Sequence, residues 1–277
     1  MRFTTIASFA LLAILIAVPV QADDSETGWH STAEFGLVVT SGNSESQTIS
    51  FKDETKRVWD KSSMTFKLGA IKAETTTTSR SAAGIPAVVT EIESTDVSAE
   101  AYWFSGRYDR KIHEKLFWFT GAGWDQNRPA GVDSRVTAFG GVGNIWRDDD
   151  KVKFRTDYAL SYTDQEDVVP TASSVDSYAG LRASWAYKHQ FTETTEYIND
   201  FVVDLGLDDS DNWRANMLNA VAVSINSKLA LKFSLATLYN NKPPVELLVN
   251  PTPGGVNVEF ELDELDTIAS AALVINF

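Results

Sequence analysis

Cysteine is missing from all 277 residues, histidine occurs three times, and past the first twenty positions no apolar run is long enough to cross a bilayer as a helix. The first absence excludes disulfides, thiolate metal sites and cysteine nucleophiles. Lysine and arginine are also scarce, 24 against 38 acidic residues, and the formal charge of -14 argues against nucleic acid as a partner. No Pro/Ser/Gly-rich linker divides the chain, so one domain is expected.

The N-terminus carries an address. Met1-Arg2 gives a positive start, Ala7 to Val18 is apolar or small throughout, and Val20-Gln21-Ala22 offers the small side chains that a signal peptidase reads. Residues 1–22 are therefore predicted to be a cleaved signal peptide, and 23–277 to be an exported domain without a transmembrane helix.

That domain alternates. In 151–163, Val152, Phe154, Thr156, Tyr158, Leu160 and Tyr162 take turns with Lys153, Arg155, Asp157, Ala159, Ser161 and Thr163, and the same rhythm of two runs through 63–70 and 229–236. Helical spacing is absent from these segments. Turn clusters such as Ser41-Gly42-Asn43-Ser44 and Arg147-Asp148-Asp149-Asp150 separate them. The pattern predicts about 12 strands, at 29–40, 46–59, 63–79, 95–110, 115–126, 134–146, 151–163, 176–189, 195–207, 213–226, 229–240 and 266–277.

Alternation alone fits a sandwich as well as a membrane barrel, so the connections decide. Every second one is brief ("DKS", "KIHE", "RDDD", "FTET", "NSK"), while 80–94, 164–175 and 241–265 are long, as a barrel with both termini in the periplasm requires. The tryptophans, Trp29, Trp59, Trp103, Trp118, Trp124, Trp146, Trp185 and Trp213, mostly fall near predicted strand ends, where membrane girdles belong. The reading is a transmembrane antiparallel up-and-down β-barrel of the bacterial outer-membrane type, from a Gram-negative cell. Its last strand ends on Leu273, Ile275 and Phe277, closes against 29–40, and resembles the C-terminal signal that outer-membrane assembly machinery recognises. The partners expected are outer-membrane lipid and lipopolysaccharide, with that machinery and periplasmic chaperones during biogenesis.

The polar face then lines a lumen. Its inward set is predicted to include Glu34, Lys52, Glu54, Lys56, Lys67, Glu100 and Arg135, together with the lumen-lining candidates Lys153, Arg155, Asp157, Arg182, Asp200, Asp204, Arg214 and Lys232. Charges of both signs either line a water-filled path or pair across the lumen and close it. His30, His113 and His189 fall around the periplasmic rim, too dispersed for one proton or metal ion, so neither an enzyme nor a metal or cofactor site is expected. In the last outer loop the apolar residues Val256, Val258, Phe260 and Leu262 are even-numbered, whereas the following strand keeps its apolar set odd. A bulge near 263–266 or a separate hairpin above the membrane must reconcile them. The acidic face there, Glu259, Glu261, Asp263 and Glu264, reads as solvated.

"EFGLVVTSGNSESQTISF" and "GRYDRKIHEKLFWFTGAGWDQNR" resemble the YdiY-like family of salt-induced outer-membrane proteins, a domain of unknown function, in Thr40-x-Gly42-Asn43 and in Arg107-Tyr108-Asp109. The resemblance implies location and fold, and it supplies no catalytic or binding residue. Two functions follow as expectations: a narrow passive channel for small polar solutes or ions, linked through the family to salt or osmotic stress, or an occluded barrel with a structural or envelope-maintenance role. An outer-membrane hydrolase is a distant third.

Overall fold

The computed structural model describes residues 27–40, 44–83, 88–171, 174, 176–248 and 258–276. The strands in chain order are β1 (Gly28–Thr40), β2 (Ser44–Val58), β3 (Ser62–Ala83), β4 (Val88–Lys111), β5 (Leu116–Asn127), β6 (Val132–Asp148), β7 (Val152–Asp167), β8 (Ser177–Gln190), β9 (Thr195–Gly206), β10 (Trp213–Ser224), β11 (Leu229–Asn240), β12 (Val245–Leu248), β13 (Val258–Glu261) and β14 (Leu265–Asn276). Twelve of them close into one antiparallel barrel, and β12 and β13 form a ribbon of their own. Closure gives every barrel strand a hydrogen-bonded neighbour on both sides. The join is uneven, however. β1 has thirteen register pairs with β2, and β11 has eleven with β14, but among the described residues β1 and β14 share four, Thr32–Phe35 against Asn276–Leu273.

Register sorts the side chains. Phe35 stands opposite Phe51, their rings 5.0 Å apart, on the outer face, and Leu37, Tyr158, Leu160 and Phe233 are each more than half exposed there. Soluble monomers rarely expose contiguous apolar surface beyond a few hundred Å². Here it runs round the ring, and lipid is the solvent that suits it. Trp29, Trp59 and Trp146 stay exposed at the end carrying both strand termini, as an interfacial girdle does. Trp103 departs from the expected pattern: it pairs with Gly69 on the inner face, and any side chain at Gly69 would run into its ring. Leu273 and Ile275 face outward beside Leu231 and Leu229, and Phe277 lies outside the described residues, as does the predicted signal peptide.

The five turns at the terminal end are three or four residues long. At the other end the connection expected at 80–94 is mostly strand, because β3 and β4 continue as a ladder to Ala83 opposite Val88, past a bulge at Ala73/Glu74. Threonine and valine in this stretch favour extended backbone, and length alone had suggested a loop. The register conflict in the last connection resolves as the separate ribbon β12–β13, in which Val245 pairs with Glu261.

That last connection is also a strap. It leaves β11 and returns to β14, yet Pro244 and Leu262 pack on Gly131, in the turn between β5 and β6, half-way round the ring. The Leu262 amide donates to the Pro244 carbonyl at 3.1 Å, binding the two arms together. Gly131 has φ of 78°, a left-handed conformation suited to glycine, and a Cβ there would meet Pro244. At the base of the strap, Lys242 pairs with Asp209 of the β9–β10 turn at 2.6 Å.

Candidate functional site

The inward face of β4 to β7 is packed. Arg107 on β4 reaches across the rings of β5 to Asp157 on β7, 2.6 Å away, and also binds Asp109 at 2.6 Å. Its guanidinium lies 3.9 Å from the Phe119 ring centroid, and Phe117, Phe119, Phe139, Ile145 and Ala159 form one cluster beneath and beside it. Asp157 is 4% exposed; Arg107 and Ser184 hold its Oδ2, while Oδ1 has no hydrogen-bond partner. A buried carboxylate keeps its charge only beside a cation, so Arg107 is what allows it there. Gly143 makes room, since a Cβ there would run into Phe117 and Asp157.

Towards the long-loop end the same wall carries three arginines on two aspartates. Arg182 grips Asp204 through two bonds of 2.6 and 3.0 Å, Arg214 reaches the same carboxylate at 3.4 Å, and Arg135 grips Asp125 at 2.6 and 3.1 Å. Planar forks of this kind match carboxylates well and are difficult to replace with lysine. Arg182 also stacks over Phe139 and Arg214 over Tyr178. Beneath the strap, Tyr178, Arg214, Asn240, Lys242 and Pro244 line a cavity of about 80 Å³.

The opposite wall is looser. Lys232 on β11 pairs with Glu34 on β1 at 2.6 Å, spanning β14 from inside, and Lys52 lies in the field of both. Lys67 and Glu54 bind at 2.8 Å with their side chains 53% and 47% exposed. Asp200, on β9 and so directly across the ring from β3, lies in the field of Lys67, Glu54, Arg155 and Lys232. Charges from five strands therefore converge at one depth, as a girdle. Among the described residues neither Asp200 nor Arg155 makes an ion pair; Arg155 rests 6.0 Å from the Phe117 ring.

Lys153, Arg155, Asp157, Arg182, Asp200, Asp204, Arg214 and Lys232 all occupy inward register positions. The structure divides them: Asp157, Arg182, Asp204 and Arg214 belong to the packed wall, Arg155, Asp200 and Lys232 to the girdle, and Lys153 to the terminal end opposite Lys188, which pairs with Glu196. Glu100 corrects the sequence reading. It pairs in register with Lys72 on the outer face, because at the long-loop rim that face meets water rather than lipid. His30 is inward on β1, His113 lies in the β4–β5 turn, and His189 is outward against Tyr187 and Phe191.

Sequence reasoning missed Arg107, Asp109 and Asp125 as lumen charges and Phe117, Phe119 and Phe139 as lumen filling. The glycines of β6 were the available signal, since Gly141 and Gly143 mark where neighbouring atoms press close.

The profile of the family described as "Protein of unknown function, DUF481" matches residues 33–254. The chain belongs to this family. Arg107 and Asp109, part of the Arg-Tyr-Asp segment, lie within the DUF481 match and both serve the packed wall. No curated protein matches the chain. Solved structures similar to it include a KdgM porin in complex with disordered oligogalacturonate (6% identity, 89% of this chain and 99% of that one, TM-score 0.44). A NanC porin (7%, 90% and 98%, 0.43) and an anion-selective porin from Comamonas acidovorans (8%, 91% and 100%, 0.39) are others. At these values the likeness assigns no solute to the DUF481 chain.

Proposed function

We propose that this DUF481 protein is exported, sits in the outer membrane and works as a narrow passive channel for small polar solutes or ions. One observation carries the reading: the Lys67–Glu54 pair points into the barrel and is still half exposed, so water reaches the lumen at the girdle. An occluded barrel with a structural or envelope-maintenance role is the second reading, favoured by the Arg107–Asp157 bridge and by the strap across the mouth. Refolded protein in a planar bilayer separates them. Steady ohmic steps are expected; silence from protein that migrates as a compact band unless boiled would leave the structural role.

Export predicts a mature N-terminus at Asp23, read by N-terminal sequencing of the envelope protein. The link to salt or osmotic stress rests on the resemblance to salt-induced proteins alone. Protein levels that stay flat from low to high salt would remove it.

A further inference from the structure

The two walls leave unequal charge. In the packed wall Arg107 serves two aspartates, Asp109 and Asp157, so one negative charge is left over there, buried away from the water path, and in the girdle Lys232 cancels Glu34 while Lys67 cancels Glu54. What remains uncancelled in the girdle is Lys52 and Arg155 against Asp200. Near the mouth Arg135, Arg182 and Arg214 share Asp125 and Asp204, and Asp167 lines the cavity beside Arg214, so that end adds no positive excess. The chain as a whole carries -14, so this excess belongs to the girdle and not to the molecule.

We infer that the lumen prefers small anions, and that Arg155 is the residue that sets the preference, with Asp200 limiting it from across the girdle. This deepens the channel reading and rests on it. Fixed charge inside low-dielectric walls acts on a passing ion far more strongly than charge on the outer loops, which salt screens. Arg155 suits the task for three reasons. Among the described residues no carboxylate occupies its donors, its guanidinium lies 6.0 Å from the Phe117 ring inside the lumen, and its planar fork matches a carboxylate or a phosphate oxygen pair. Arg182 and Arg214, equally inward, are spoken for by Asp204. The solute class is small monovalent anions, inorganic or carboxylate.

The experiment is the reversal potential of single channels across a potassium chloride gradient, followed by the same measurement with potassium acetate. The natural chain is expected to pass anions in preference to potassium. Each unit of positive charge removed from the girdle should lower the anion-to-cation permeability ratio about sevenfold, because a unit charge ~6–8 Å away in water favours an anion about threefold and disfavours a cation about threefold. Arg155→Glu, a change of two units, should then lower it about fiftyfold and invert the preference, and Asp200→Asn should raise it about sevenfold. Arg57→Gln, on the outer face between Trp29 and Trp59, should leave it unchanged. Conducting channels that favour cations, or an Arg155→Glu ratio equal to that of the natural chain, overturn the inference and leave the channel standing. If Arg155→Glu does not fold, an Asp200→Asn ratio that fails to rise overturns it equally. Absence of conductance from folded natural protein overturns the channel and the selectivity together.

Discussion

Arg107 is the side chain on which the packed wall depends. Replacing it with alanine strands Asp157, 4% exposed, and Asp109 without their cation, and removing one partner of such a pair costs about 3–5 kcal/mol. The expected result for Arg107→Ala is a clear drop in the temperature at which the compact gel band converts to the unfolded one. Arg107→Lys should fall between, since an ammonium cannot serve both carboxylates as a fork does. Acid acts on a different residue. The Lys242 ammonium beside Asp209, aided by the Asp211 amide, holds that carboxyl below its ordinary value of 3.8. A depressed carboxylate contributes stability above its unfolded pKa and loses it as pH falls through the folded one. A spin label at Asp263→Cys, unique in a chain without cysteine, should thus keep its mobility from pH 8 to 5 and gain mobility only below the carboxylate range.

At this scale the sequence spoke only in part. In β7, Lys153, Arg155 and Asp157 alternate with apolar neighbours, and their inward placement was legible. In β5, Leu116, Phe117, Trp118 and Phe119 are apolar on both faces, so alternation could not choose a side. The choice is made by Gly143 and Arg107 on flanking strands, a matter of register and not of local pattern.

Among elements, the strap has the least local determination and the most specific seat. Gly131→Val would force a branched residue into left-handed backbone and into Pro244 and Leu262 at once. Limited proteolysis should then cut within 245–261 several times faster, while the barrel band remains. Unchanged cutting would mean that the strap is held elsewhere. The ribbon β12–β13 was foreseeable as one of two ways to reconcile even and odd apolar positions. The seat on Gly131 was not, because nothing in the order of residues 241–264 says how far across the mouth they reach. Likewise, the short turns could be read from their acidic and polar residues, but the β3–β4 ladder beyond Ser79 could not be told from a loop of equal composition.

For the whole molecule, the decisive quantity is which face is oily. With Leu37, Leu160 and Phe233 exposed and Asp157 and Asp204 buried, the barrel is expected to require detergent or lipid for solubility. Purified chain that stays monomeric in plain buffer, by light scattering, would refute the membrane assignment. Closure of the ring was legible from loop parity and from the apolar alternation of 266–277. The contents of the ring were not, since packing across a lumen joins residues far apart in sequence, such as Glu34 and Lys232.

One consequence concerns the place where the ring is joined. A ladder of four pairs between β1 and β14 among the described residues, backed from inside by the Lys232–Glu34 bridge and by the Thr32 hydroxyl donating to Asn276, is a zip with few teeth. Heat or a pulling force should part the staves there first, and amide protons of β14 facing β1 should be the earliest in the barrel to trade for deuterium.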